Sequence, residues 1–238
     1  MECVSIIIPS FNRFHFLLNT IKSVQSQTYR NIEIIVVNDC SVDNEYYQYN
    51  WKENGVHIIH LEKNSKELFG FACPAYVRNR GIIEASGKYV AFCDDDDIWF
   101  PSKIELQLNA MKRTGCKMSC TDGLIGNGIY NSNMTYKKYN AEQYYNDLQN
   151  IYKTKGSPLL ENGFPEIWNL DFLKIHNCVM CSSVLLEKEI LDKINNMRYL
   201  RYAEDYDCWM RALEHTNLVY VQDICFYYDL GHGYGQNY

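Results

Sequence analysis

The chain has 238 residues, 47% of them hydrophobic, and a formal net charge of −6 with no block of lysine or arginine. That length can bury a substantial core, as one large α/β domain or two closely packed halves. The acidic balance argues against a nucleic-acid partner, whose phosphates demand a basic face. The opening MECVSIIIPS has no cationic start, and Pro9 cuts its apolar run short. It reads neither as a signal peptide nor as a membrane span, and no other stretch is long enough to cross a bilayer. The expected setting is cytoplasmic, with any membrane association peripheral. Ten cysteines are present, but Cys93, Cys116, Cys120 and Cys208 lie inside apolar runs, which points to reduced core thiols rather than a disulfide framework.

Strand and helix signals alternate through the first hundred residues, the pattern of a parallel sheet with helices packed on it. Val4 to Ile8 is the first strand. Phe14, Leu17, Leu18, Ile21 and Val24 then recur at helical spacing, and IEIIVV, Ile32 to Val37, is a second buried strand. A third strand is expected at Val56 to Leu61, then a helix from Ala75 to Ala85 with Gly87 as its C-cap, then a strand from Tyr89 to Cys93. Pro101 is placed to open the next helix. From Asp122 to about Asn177 the periodicity fades into a Tyr-, Asn- and Gly-rich stretch with one helix through Ala141 to Tyr152, as binding regions often do. Order returns with a strand from Ser182 to Leu186, a helix from Glu187 to about Ile194, and an amphipathic helix with Trp209, Met210 and Leu213 on one face.

In an open parallel sheet, ligands bind beyond the carboxyl ends of the strands. Strand one ends in Pro9-Ser10-Phe11-Asn12, strand two in Asn38-Asp39, and the fourth in Asp94-Asp95-Asp96-Asp97, so three polar clusters are expected along one edge. Four adjacent carboxylates repel one another, and a hard divalent cation with oxygen ligands relieves that repulsion. A solvated acidic turn is the structural alternative. A P-loop nucleotidase would need G-x-x-x-x-G-K-[S/T], which is absent. The glycines of Gly123 to Gly128 are wrongly spaced for a dinucleotide fingerprint, and an EF-hand loop would need glycine where Trp99 stands. Cys178 and Cys181, with His176 nearby, form a C-x-x-C without a second pair. In a strand they would point to opposite faces, so ordinary core cysteines are favoured over a zinc or redox site. His15, His57, His60, His176 and His215 lie in no motif.

Taken in order, SIIIPSFNR, VVNDCSVD, YVRNRGIIEASGKYVAFCDDDDIWFPSKIELQ and AEDYDCWMRAL resemble the family-2 glycosyltransferases of GT-A fold. The resemblance covers the first 110 residues and returns around 180 to 213. It implies a mostly parallel, Rossmann-like α/β sheet flanked by helices, with residues 1–110 as the donor-binding half and 111–238 as the acceptor and catalytic-base half of one continuous domain. By the same resemblance, Pro9, Ser10 and Phe11 would lie against the nucleotide base, Asp39 would accept hydrogen bonds from base or ribose, and Arg78 would contact the donor. Asn38 and Cys40 depart from the family's usual Asp and Gly. The family's Asp-x-Asp signature aligns best with Asp94, toward the ribose, and Asp96, on Mn2+ or Mg2+, although four aspartates leave the register open by one and Asp95 is counted with the donor contacts.

Glu204-Asp205 resembles the family's Glu-Asp, and by that resemblance Asp205 would be the base for the acceptor hydroxyl. A carboxylate at a helix start is expected to stay ionised through the dipole, and capping the helix is its alternative role. His232, flanked by glycines, matches the C-terminal histidine that some relatives place on the metal or diphosphate. The implied reaction is inverting transfer of a hexosyl or N-acetylhexosaminyl group from a nucleotide-diphospho-sugar, expected to be a UDP-sugar, to a glycan, protein or lipid-linked acceptor. A non-catalytic module of the same fold and a sugar nucleotidyltransferase are the other readings. Trp168 and the tyrosines between Tyr130 and Tyr152 suit either sugar stacking or a second small core.

Overall fold

The computed structural model describes residues 2–231. The first half runs β1 (Val4–Ser10), α1 (Phe14–Gln25), β2 (Ile32–Asn38), α2 (Glu45–Gln48), β3 (Val56–His60), α3 (Ser65–Phe69), α4 (Pro74–Glu84), β4 (Tyr89–Phe92), β5 (Ile98–Trp99) and α5 (Lys103–Thr114). It continues with β6 (Met118–Gly126), β7 (Lys137–Lys138), a π-helical turn (Tyr139–Tyr144), α6 (Tyr145–Thr154), β8 (Ile167–Trp168) and α7 (Leu170–Leu173). A 3-10 turn (Cys181–Ser183), β9 (Leu185–Glu187), α8 (Lys188–Lys193), α9 (Glu204–Ala212) and β10 (Leu218–Asp229) complete the described chain.

One sheet passes through both halves in the order β3-β2-β1-β4-β9-β6-β10-β5, with β7 on β6 and β8 on β10. Strands β1 to β4 pair in parallel, and β9 enters antiparallel between β4 and β6. Aliphatic residues fill both faces of β1 and β2, as a sheet covered on both sides requires. Ile6, Ile8, Ile34 and Val36 pack toward α1 and α5, while Ile7, Ile35 and Val37 pack toward α4 and α9. The register sets Ser10 opposite Asn38 and Ile7 opposite Phe92. The polar strand ends therefore emerge side by side.

Several boundaries differ from expectation. Gly87 is not the cap of α4, which ends at an extended Ala85. Gly87 is required instead by close approach, since a Cβ there would lie 2.6 Å from Ser5 Oγ. Pro101 precedes α5 rather than opening it, because its carbonyl accepts from Thr28 N–H (2.8 Å) and Ser102 takes the N-cap position. The strand expected from Ser182 begins only at Leu185, after the 3-10 turn. Cys178 and Cys181 accordingly do not face opposite ways. Both are buried in the same core cluster, and burial pushes the Cys178 thiol up to about 12, so they are neutral core thiols. All ten cysteines are free.

The middle stretch packs as part of the core. Trp168 is fully buried, stacked on Tyr220 (4.6 Å between centroids) and tilted on Phe172 (4.8 Å), which excludes it as a sugar platform. No helix among the described residues is long and apolar enough to cross a membrane.

Candidate active site

The loops after β1 and β2 are tied to each other before they meet anything else. Asp39 N–H donates to Ser10 carbonyl (2.9 Å), Asn12 N–H to Ser41 Oγ (2.9 Å), and Val42 N–H to Asn12 Oδ1 (2.8 Å). Asn12 and Cys40 both adopt left-handed backbone, at φ 52° and 59°. Asparagine tolerates this through local hydrogen bonding; Cys40 carries the strain that a glycine there would avoid. Asn38, buried, uses its amide in both directions, accepting from Ser41 N–H (2.9 Å) and pairing with His60 Nδ1 (3.0 Å). An aspartate at that position could only accept. Asp39 is fully buried, and its carboxylate accepts from Ser65 N–H (2.8 Å), Ser65 Oγ (2.6 Å) and Asn64 Nδ2 (3.3 Å). It thus braces the start of α3 from the strand end. Pro9 and Phe11 stand half-buried beside it.

The four aspartates after β4 form a tight turn, with Asp97 N–H donating to Asp94 carbonyl (3.2 Å). Each carboxylate has a different environment. Asp95 accepts from Ser10 Oγ (2.7 Å), which also contacts Tyr46 OH (2.5 Å). Arg13 Nη1 reaches both Asp95 (3.2 Å) and Asp96 (3.1 Å). Asp97 is fully buried, accepts from Asp229 N–H (3.1 Å), and leaves Oδ2 without a hydrogen-bond partner among the described residues. Burial, followed by the neighbouring carboxylates, raises Asp95, Asp96 and Asp97; Asp96 reaches about 8 even though Arg13 opposes the shift.

Arg78 joins this loop to the second half. The side chain is buried on α4, with Nη2 on Asp94 (2.7 Å) and Nη1 on Glu204 (3.0 Å) at the start of α9. Its Nε has no hydrogen-bond partner among the described residues. Asp205 is next in the chain. The N-cap is Ala203, in left-handed conformation at φ 55°, so Asp205 does not cap the helix; its Oδ1 accepts from Tyr206 N–H (2.6 Å). Nor does the dipole hold the carboxyl low. Burial and then the Glu204 charge raise it to about 6, against the opposing pull of Arg78. A carboxylate about one unit below neutrality is ionised at pH 7 yet basic enough to take a proton as attack proceeds.

Ser10, Asp39, Arg78, Asp94, Asp95, Asp96 and Asp205 therefore belong to one connected edge of the sheet, through the bonds just described. Arg78 is engaged by two carboxylates, so its place is between the acid loop and α9. His232 lies outside the described residues. Among the described residues no group of three His, Cys, Asp or Glu side chains is poised as a complete metal cage. The charge balance nevertheless fits a cation: three of the four aspartates share two guanidiniums, one of which Glu204 also engages, and one buried oxygen of the fourth, Asp97, is orphaned. Arg13 was not singled out from the sequence, although it ends the SIIIPSFNR motif. Tyr46 and Asp229, which hold the loop from α2 and β10, carry no sequence signal because only the fold brings them near.

The Glycosyl transferase family 2 model matches residues 5–191. WfaP of Escherichia coli, a UDP-Glc:alpha-D-GlcNAc-diphosphoundecaprenol beta-1,3-glucosyltransferase, is 32% identical over 226 residues, covering 92% of this chain and 76% of that protein. An uncharacterized glycosyltransferase of Rickettsia bellii is 38% identical over 120 residues, half of this chain but 16% of that protein's length. The crystal structure of Staphylococcus aureus TarS 1-349 in complex with UDP-GlcNAc superposes with a TM-score of 0.66 at 17% identity, over 98% of this chain and 60% of that one. At that identity the likeness is one of fold.

Proposed function

Because the chain belongs to glycosyl transferase family 2, we propose that it transfers a sugar from a UDP-sugar to a hydroxyl with inversion, Asp205 acting as the base. One observation carries this reading: Arg78 ties Asp94 of the acid loop to Glu204, the residue before Asp205, so donor-side carboxylates and base share one network. UDP as the nucleotide is supported by the TarS complex and by the name of WfaP. The same name supports a sugar on a polyprenyl diphosphate as the acceptor class.

In this mechanism Asp205 accepts the proton of the acceptor hydroxyl, whose oxygen attacks the anomeric carbon from the face opposite the diphosphate in a single displacement. Glu204, anchored by Arg78, keeps the start of α9 fixed against the acid loop. Half-buried Pro9 and Phe11 offer the edge on which base and ribose would lie, and the buried Ser10 and Asp39 brace it from behind rather than reaching the donor themselves. Asp96 is the residue that would hold Mn2+ or Mg2+, with Asp94 beside it toward the ribose, and the ion would supply positive charge to the departing nucleotide. The orphaned Asp97 oxygen and the raised Asp96 support a cation here.

Asp205→Asn tests the assignment. Transfer should fall by roughly 10²–10⁴-fold, while UDP still raises the melting temperature as it does for the unaltered protein. Retained transfer would reject Asp205 as the base.

A further inference from the structure

A cleft of about 360 Å³ opens between the π-helical turn, the segment before β8 and strand β10, within the size range of small-ligand sites. Its floor is aromatic. Phe164 meets Tyr145 on one side and Tyr220 on the other, edge to face at 5.5 Å between centroids in both cases. The walls are fixed from within the chain. Tyr145 OH donates to Leu160 carbonyl (2.5 Å) and accepts from Gly163 N–H (3.0 Å). The buried Asp122 carboxylate accepts from Asn140 N–H (2.8 Å) and Ala141 N–H (3.2 Å), which pins the start of the π-helical turn. Single turns of that kind are rare and recur at functional sites.

Lys138, Asn162 and Gln222 also line the cleft and are exposed. Among the described residues the side chains of Lys138 and Asn162 have no hydrogen-bond partner, and Gln222 Nε2 has only a long contact with Phe164 carbonyl (3.5 Å). Counting the lining residues and their neighbours in the chain, Lys137 and Lys138 stand against Asp122, Glu142, Glu161 and Asp223. Two cations against four carboxylates disfavour an anionic ligand. An aromatic floor with amides that both donate and accept suits a pyranose, which offers an apolar C–H face and a ring of neutral hydroxyls.

We propose that this cleft binds a neutral hexose or N-acetylhexosamine residue of a glycan. The same turn carries Tyr139, which lies within electrostatic reach of Asp205: burial, then Tyr144 and, more weakly, the Asp205 charge push its phenol up. One turn therefore serves both the cleft and the candidate base, an arrangement that fits a second sugar of the acceptor. That use rests on the function proposed above; the sugar binding does not.

The test is saturation-transfer NMR with the methyl α-glycosides of glucose, galactose and N-acetylglucosamine, in the absence of nucleotide. At least one should bind at millimolar concentration, its ring protons taking up saturation from aromatic resonances of the protein. N162A/Q222A removes two hydrogen-bonding groups and should weaken that binding roughly tenfold, while Asp205→Asn should bind as the unaltered protein does. Both changed side chains are exposed, and melting temperatures check folding; should the double variant melt early, each single change is read instead, at roughly threefold. No binding of any of the three glycosides, undiminished binding by the folded variants, or binding lost in Asp205→Asn, which would put the sugar at the catalytic centre instead, would overturn the proposal. A base other than Asp205 would leave glycoside binding intact, and an empty cleft would leave the loss of transfer in Asp205→Asn unchanged, so the two readings fail separately.

Discussion

Arg78→Met is the most informative single change, because it keeps a similar side-chain volume while deleting the charge that bridges the two halves. Arg78 is 6% exposed, against 27% for Asp94 and 14% for Glu204, with contacts of 2.7 and 3.0 Å. Removing one partner from a buried ion pair costs roughly 3–5 kcal/mol, and the partial exposure of Asp94 places this case near the lower end, about 3 kcal/mol. For a chain of this size that corresponds to a fall in melting temperature of roughly 6–12 °C. A second readout separates the bridge from mere packing. Arg78 lowers Asp205, so its loss should move the acid limb of the kcat/KM profile upward from about 6, by about one unit. Arg78→Lys, with a single ammonium unable to hold both carboxylates, should restore much of the limb but little of the stability. A methionine variant that melts within two or three degrees of the unaltered protein, roughly the effect of 1 kcal/mol, and keeps its acid limb would refute the reasoning.

The acid loop predicts an unusual pH dependence. Asp96 is raised from 3.8 to about 8, so the unfolded chain has lost a proton that the folded protein keeps. Its contribution to stability is full below pH 4 and is lost as pH rises toward 8. In EDTA, therefore, thermal melts should show a steeper loss of stability between pH 5 and 8 in the unaltered protein than in Asp96→Asn; parallel curves would contradict the assignment. Added Mn2+ should recover stability at pH 8 in the unaltered protein and not in the variant. Lys103 gives the opposite sign. It is fully buried, its Nζ donating to Gln107 Oε1 (2.7 Å) and lying 4.0 Å from the centre of the Trp99 ring, and burial lowers it to about 8. Stability from this group is present above its unfolded value near 10.5 and is lost as pH falls through 8, so raising pH from 8 to 10 should stabilise the unaltered protein relative to Lys103→Met by about 2–3 kcal/mol. Denaturant melts at both pH values check it, and an unchanged difference would mean that Lys103 is not desolvated.

The strands β1 to β4 and the common edge of their polar ends were legible in the sequence, because aliphatic runs alternating with helical spacing admit few arrangements other than a parallel sheet, and parallel strands all end on one side. The aspartate run and Glu204-Asp205 stood out for the same local reason: adjacent residues announce themselves. Tertiary structure alone decided what those carboxylates experience. The Arg78–Glu204 contact joins positions 126 residues apart, and Arg13 reaches aspartates more than 80 residues on. Neither separation has a periodicity to read. The ionisation of Asp205 likewise turned on burial and a neighbouring charge rather than on its place in the helix, and Trp168 became core only because β8 pairs with β10 and lays its ring on Tyr220. Periodicity reports which face of an element is apolar; the charge and solvation at a site are sums over everything that folding brings near, and they exist only once the chain has closed around it.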